Sequence, residues 1–218
     1  MTSRDIFSPL TFILLAAFAI ATVLGFFLIP ADAILPVHWG PSGVADGFME
    51  RDGALLMMAT IVVVLLIAFT LAASFLPKRE TEPGRHVVRV LVPAMLALFL
   101  SIQAGTVLIG MGQEVDMVRI IILAIALLLV VLGNVMPKTQ PNAYAGLRLP
   151  WTMADAANWQ ATHRLTGLLT LVAGLALAVV AVLGASPPIL IIALLTAVFV
   201  PLLVGSAFSY RLSKRRGA

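Results

Sequence analysis

An all-α integral membrane bundle of six transmembrane helices, with both termini cytoplasmic, is the fold class this sequence predicts, and three observations predict it. Of 218 residues, 61% are hydrophobic and only 11% are charged, against roughly 45–50% apolar and about 25% charged in soluble domains. The apolar residues are bunched into runs of about 20, long enough at 1.5 Å per residue to cross a hydrocarbon core of about 30 Å. Lys and Arg divide unevenly between the two sides those runs define, as the positive-inside bias requires. A soluble globule and an intrinsically disordered chain are both excluded. The chain has no cysteine, which excludes disulfides, thiolate metal sites and Cys nucleophiles.

The runs are Leu10–Ile29, Ala54–Leu76, Val90–Met111, Val118–Met136, Leu165–Gly184 and Ile189–Phe208. Backbone groups in lipid must be satisfied within the segment, and no run shows the period-2 alternation of a barrel strand, so each is a helix. Pro93 falls in the first turn of the third run, where proline is tolerated, and Pro201 lies inside the sixth, where a kink is expected. Arg119 heads the fourth and must snorkel to the interface. Ala31-Asp32-Ala33 has the small-x-small pattern of a cleavage site. The run before it is longer than a signal h-region of about 7–15 residues, so an uncleaved helix is expected. The chain divides into 1–80 with the first two helices, 81–136 with the next two, and 137–218 with a long loop and the last two.

Twelve Lys and Arg fall on one side of the spans and two, Arg51 and Arg119, on the other. Both termini are therefore expected in the cytoplasm, with loops 30–53, 112–117 and 185–188 outside. The net charge of +4 resolves into a basic cytoplasmic face and an acidic outer one bearing Asp32, Asp46, Glu50, Asp52, Glu114 and Asp116. The basic balance is thus an orientation signal, and no direct nucleic-acid binding is expected.

Two loops hold residues that a helix bundle does not need. The outer one reads Leu35-Pro36-Val37-His38-Trp39-Gly40-Pro41-Ser42-Gly43-Val44-Ala45-Asp46-Gly47-Phe48. Its Gly and Pro content predicts a tightly folded turn, with Asp46-Gly47 a specific turn signal, and Trp39 and Phe48 suit the headgroup level. The cytoplasmic one, Pro137 to Arg164, contains Asn142, Gly146, Arg148, Pro150, Trp151 and Thr152. Thr152 followed by Asp155 reads as a capping box, so a helix starting near Met153 and running into the fifth span is expected. On it Asp155, Trp159 and His163 recur at i, i+4 and i+8 along one face.

At these residues the chain resembles known proteins. Leu35-Pro36-x-His38-Trp39-x-x-x-Gly43-x-x-Asp46-Gly47-Phe48 looks like the signature of a bacterial membrane domain of otherwise unknown function, with Gly40 where an Asn is expected. Asn142-x-x-x-Gly146-x-Arg148-x-Pro150-Trp151-Thr152, with Trp159 and Thr162-His163-Arg164, is similar to the carboxy-terminal signature of the SdpI immunity family. The resemblance implies a multi-pass inner-membrane protein that protects its cell from a secreted peptide toxin. It also implies a relay, in which a transcriptional repressor is held at the membrane when toxin is present. The acidic outer face adds a cationic peptide as the expected outer partner, beside the lipid bilayer itself.

Other chemistry is thinly represented. His38 with Asp46, Glu50 or Asp52 falls short of the two or more N or S ligands of a stable transition-metal site, so neither metal nor cofactor is expected. Arg148, in a segment built for a fixed backbone, suits a structured ion pair, with Asp155 as its natural partner. Trp151 and Trp159 are expected in the interfacial aromatic belt, while Arg148, His163 and Arg164 on the cytoplasmic face suit either an anion or partner-docking site or ordinary headgroup contact. Gln103, mid-span, suits an interhelical hydrogen bond. No catalytic motif occurs and no ionisable group lies well inside a span, so an enzyme is not expected. The rival class is a transporter of small solutes or peptides, because three plus three spans with a motif loop after the first of each half admit an inverted repeat.

Overall fold

The computed structural model describes residues 3–75, 77, 82–142 and 145–216. A short helix α1 (Ser3–Ile6) precedes α2 (Pro9–Leu28), and a two-stranded hairpin, β1 (Ile34–Trp39) and β2 (Ala45–Glu50), leads directly into α3 (Arg51–Phe75). Then follow α4 (Arg85–Gly110), α5 (Met117–Val135), the short α6 (Pro150–Ala154), α7 (Ala156–Val182) and α8 (Pro187–Arg216). The six long helices are each long and apolar enough to cross a membrane, and the protein is a multi-pass membrane protein. Their outward faces carry large apolar side chains such as Phe27, Phe75 and Leu183, which only a lipid environment tolerates in such numbers.

Local chemistry fixes the helix starts. Ser8 caps α2 by accepting from Thr11 N, with Pro9 at the first helical position. Asp116 caps α5 by accepting from Arg119 N. Helix α4 differs from expectation: it begins at Arg85, so Pro93 lies in its interior rather than in its first turn. Arg85 and Arg89 mark this stretch as loop in the sequence, yet a helix loses nothing by continuing into the headgroup region, where water and lipid phosphates solvate Arg side chains.

Packing gathers the helices into two groups. α4 is the centre of the first, against α2 and α3, and α7 is the centre of the second, between α5 and α8; the α4–α5 contact joins them. The central helix is thus the last of its half in one group and the middle of its half in the other. Gln103, fully buried in α4, donates to Thr22 Oγ1 of α2 at 3.0 Å and to the Leu55 carbonyl of α3 at 3.3 Å. The α5–α7 seam is the closest in the bundle. Gly133 lies against the Leu171 amide and the Gly167 carbonyl, and Gly174 against the Ala126 carbonyl and the Val130 amide, so any Cβ at either position would meet backbone.

The bundle has two unlike ends. The β1–β2 hairpin occupies one, where a turn was expected without strands. Its pairing runs Ile34 with Glu50 to Trp39 with Ala45, with irregularities that leave Val37 and Asp46 as extra residues. Gly43, at the hairpin tip, rests on Pro187 at the start of α8, so the hairpin reaches from the first helix pair across to the last. The other end carries the start of α1, the end of α8 and the described residues of the 136–155 segment.

Candidate functional site

The 136–155 segment is held by a buried cluster on the first two turns of α7. Trp159 is fully buried, and its Nε1–H donates to the Thr139 carbonyl at 3.1 Å and to Thr139 Oγ1 at 3.2 Å. The His163 ring stacks on it, with centroids 4.0 Å apart at 16°. His163 Nε2 accepts from the Leu147 amide at 2.9 Å, which requires that nitrogen to be unprotonated. Nδ1–H then donates to the Trp159 carbonyl at 2.8 Å. The imidazole is therefore a neutral latch whose tautomer its two partners fix. Gly146 makes this contact possible: its φ is +111°, and a Cβ there would strike His163 Nε2 and crowd Trp159.

Three further side chains shape the segment. Asn142 closes its turn by donating to the Gln140 and Ala145 carbonyls and accepting from the Ala145 amide. Thr152 accepts from the Leu149 amide, with its own hydroxyl at hydrogen-bonding distance from the Leu147 and Leu149 carbonyls. Asn158 ties α7 to α8, donating to the Ser209 carbonyl and accepting from the hydroxyls of Thr162 and Ser209.

These contacts correct three expectations. Trp159 is a core residue and not a belt anchor, because Thr139 offers its indole N–H a partner inside the protein. His163 is likewise buried away from any headgroup. The helix expected near Met153 starts at Pro150 and breaks at Asp155, whose carboxylate caps α7 by accepting from Ala157 N. Pro150 is at the first helical position and Thr152 is inside α6, so Thr152 is not the cap. Arg148 and Arg164 are both exposed. Trp151 packs edge-on against Tyr210 of α8. The residues that the sequence reading missed, Thr139, Asn158 and Ser209, had one legible signal: Asn158, Thr162 and Thr166 recur every four residues as a polar stripe on an otherwise apolar helix.

At the hairpin end, His38 Nδ1–H donates to Asp46 Oδ1, with both side chains largely exposed. The bulge at Asp46 turns its side chain onto the His38 face of the hairpin. Its second carboxylate oxygen lies over Gly40, where any Cβ would collide with it. The Asn expected at position 40 would displace that carboxylate. Gly47 stands directly opposite His38, against its Cβ. Pro36 pairs with Phe48, which is exposed, while Trp39 is half-buried.

The two arginines at this end point inward. Arg51 donates to the Phe26 and Ile29 carbonyls at the end of α2 and to Asp52. Arg119 donates to the Ala181 and Ala185 carbonyls at the end of α7 and to Asp116. Each cation thus meets the negative end of a helix dipole. Burial raises the Asp116 pKa, but the hydrogen bonds from the Arg119 amide and guanidinium outweigh it, and the carboxyl titrates below its usual 3.8. What remains exposed is acidic: Asp32, Asp46, Glu50, Asp52, Glu114 and Asp116. Among the described residues no group of three or more His, Asp or Glu could hold a metal ion.

Six membrane helices, with Trp159 and His163 latching the segment that precedes α7, define a multi-pass membrane protein whose motif segment is similar to that of the SdpI/YfhL family. Residues 138–205 match the model of the SdpI/YfhL protein family. The chain is 29% identical over 155 residues to the immunity protein SdpI of Bacillus subtilis (strain 168), an overlap of 71% of this chain and 74% of that protein. No solved structure matches the chain.

Proposed function

We propose that this protein is an immunity and sensing protein of the bacterial inner membrane, with both termini cytoplasmic, that protects its cell from a secreted cationic peptide toxin. The observation that carries this reading is the charge pattern of the hairpin end. Six exposed carboxylates face the solvent there, while Arg51 and Arg119 are turned into helix C-termini, so a positive peptide meets an almost uniformly acidic surface with the His38–Asp46 pair at its centre. The similarity to a protein named for immunity supports the same reading.

The opposite end is the relay. Exposed Arg148 and Arg164 present cationic side chains beside a segment whose shape depends on the Trp159–His163 latch, a suitable surface for a cytoplasmic repressor. Expression in a toxin-sensitive strain tests the proposal. The chain should restore growth under a cationic peptide toxin, and Asp46→Ala should abolish protection at unchanged membrane abundance. Arg148→Ala should lose peptide-dependent repressor capture and keep protection. Solute flux in proteoliposomes without any protection would instead identify a transporter.

A further inference from the structure

Two cavities, lined by sequence-neighbouring residues of α4 and of the end of α5, lie at the motif end of the bundle. The first, of about 360 Å³, is lined by α4, α5, α7 and α8, with the latched segment as its floor. Val87, Leu129, Leu132, Met136, Val198 and Leu202 give it an apolar wall, and its volume is in the range of small-ligand sites. Thr139, at its edge, has its hydroxyl engaged by Met136 and Trp159. The floor includes Gly146 and Leu147, the two residues that His163 holds. Leu129 on α5 and Met136 just past its end are seven residues apart, so the wall runs about 10 Å along the helix axis.

The second cavity, about 340 Å³, is lined by His86, Arg89, Val90, Val135 and Lys138. A third recess shares its His86 and Lys138 and adds Arg85, Glu82 and Gln140. The carboxylates nearby are Glu82, bonded to Arg85 at 2.7 Å, and Asp5, at 3.7 Å from Arg89. Among the described residues three cations and a histidine therefore face two acids, and the recess is positive. Its residues are sequence neighbours of the apolar wall: His86 beside Val87, Val135 beside Met136, Lys138 beside Thr139. A cationic recess whose lining residues are next in sequence to those of an apolar slot matches a molecule with an anionic head and an alkyl tail.

We propose that this pair of cavities binds an anionic phospholipid, its phosphate against Lys138, Arg89 and His86 and one acyl chain in the apolar slot. The chain then lies on Gly146 and Leu147, so occupancy braces the segment that carries the relay surface. Under the proposed orientation the site lies in the cytoplasmic leaflet, and retention of the lipid is measured without any immunity readout.

The full chain is reconstituted in nanodiscs of phosphatidylcholine with or without phosphatidylglycerol, and retained lipid is measured by native mass spectrometry. A basic residue near an anionic headgroup contributes about fivefold in affinity. Arg89→Gln with Lys138→Gln should therefore reduce phosphatidylglycerol retention by about tenfold, Asp5 already sharing Arg89. A photoreactive phosphatidylglycerol acyl chain should label Leu132 and Leu202 in the wild type, and Val198→Trp should abolish that labelling while outward-facing Leu168 is still labelled. Should Val198→Trp fail to fold, Leu202→Phe fills the same slot. Glycerol phosphate alone should not compete. Equal retention of both lipids, wall labelling no stronger than at Leu168, or full competition by glycerol phosphate would overturn the proposal.

Discussion

Replacing His163 tests whether the motif segment is held by a single imidazole. In His163→Ala the Leu147 amide loses its acceptor, and Trp159 loses a ring stacked at 4.0 Å. The amide is only partly buried, so its loss falls at the lower end of the usual range, about 1–2 kcal/mol. The stack adds about 0.5–1.5 kcal/mol. His163→Phe separates the two, because it keeps an aromatic ring on Trp159 and removes only the acceptor. Hydrogen exchange in detergent micelles reads the result directly. The Leu147 amide should exchange about five- to thirtyfold faster in His163→Phe, since 1.4 kcal/mol is tenfold. The Ala145 amide, held by Asn142, should change far less. An unchanged Leu147 protection factor in His163→Phe would refute the latch.

The same cluster predicts that Gly146→Ala is worse than either His163 variant. It places a Cβ against the imidazole and demands a left-handed φ that costs an L-residue about 1–2 kcal/mol, so a lower thermal midpoint and altered Trp159 fluorescence are expected. Arg119→Ala should destabilise by about 0.5–2 kcal/mol through the uncapped end of α7, measured as a drop in thermal midpoint in micelles. Asp116 gives that contact a pH signature. Its folded pKa is depressed, so its contribution is full above the unfolded value of 3.8 and is lost as pH falls through the folded pKa; a stability decline confined to pH below about 4 should vanish in Asp116→Asn. His38→Ala, at an exposed pair, should cost under about 1 kcal/mol and leave membrane abundance unchanged by immunoblot while protection is lost.

The helices were legible because a membrane helix needs only length and apolar composition, both local properties; all six runs lie within the observed helices or within two residues of their ends. The hairpin was not, since bulges at Val37 and Asp46, together with Pro36 and Gly47, erase the alternation that marks a strand. For the α6–α7 junction the local signals competed. Pro150 announced a helix start as clearly as Thr152 did, and the choice went to Pro150 because Thr152 Oγ1 could serve the Leu149 amide from inside the first turn.

By itself the sequence determined how many helices cross the membrane, which side their basic residues favour and which two segments depart from bundle chemistry. Hydrophobic length and charge asymmetry act residue by residue against the solvent, so they can be read without knowing what any helix touches. Only the tertiary structure decided that Trp159 and His163 are buried, that Arg51 and Arg119 face helix ends and that Gly40 underlies a carboxylate. Each depends on a partner brought close by packing: Thr139 lies 20 residues from Trp159 and Ala181 lies 62 from Arg119. A polar side chain at a membrane edge is equally content with water, a headgroup or a buried carbonyl, and only the fold supplies the carbonyl.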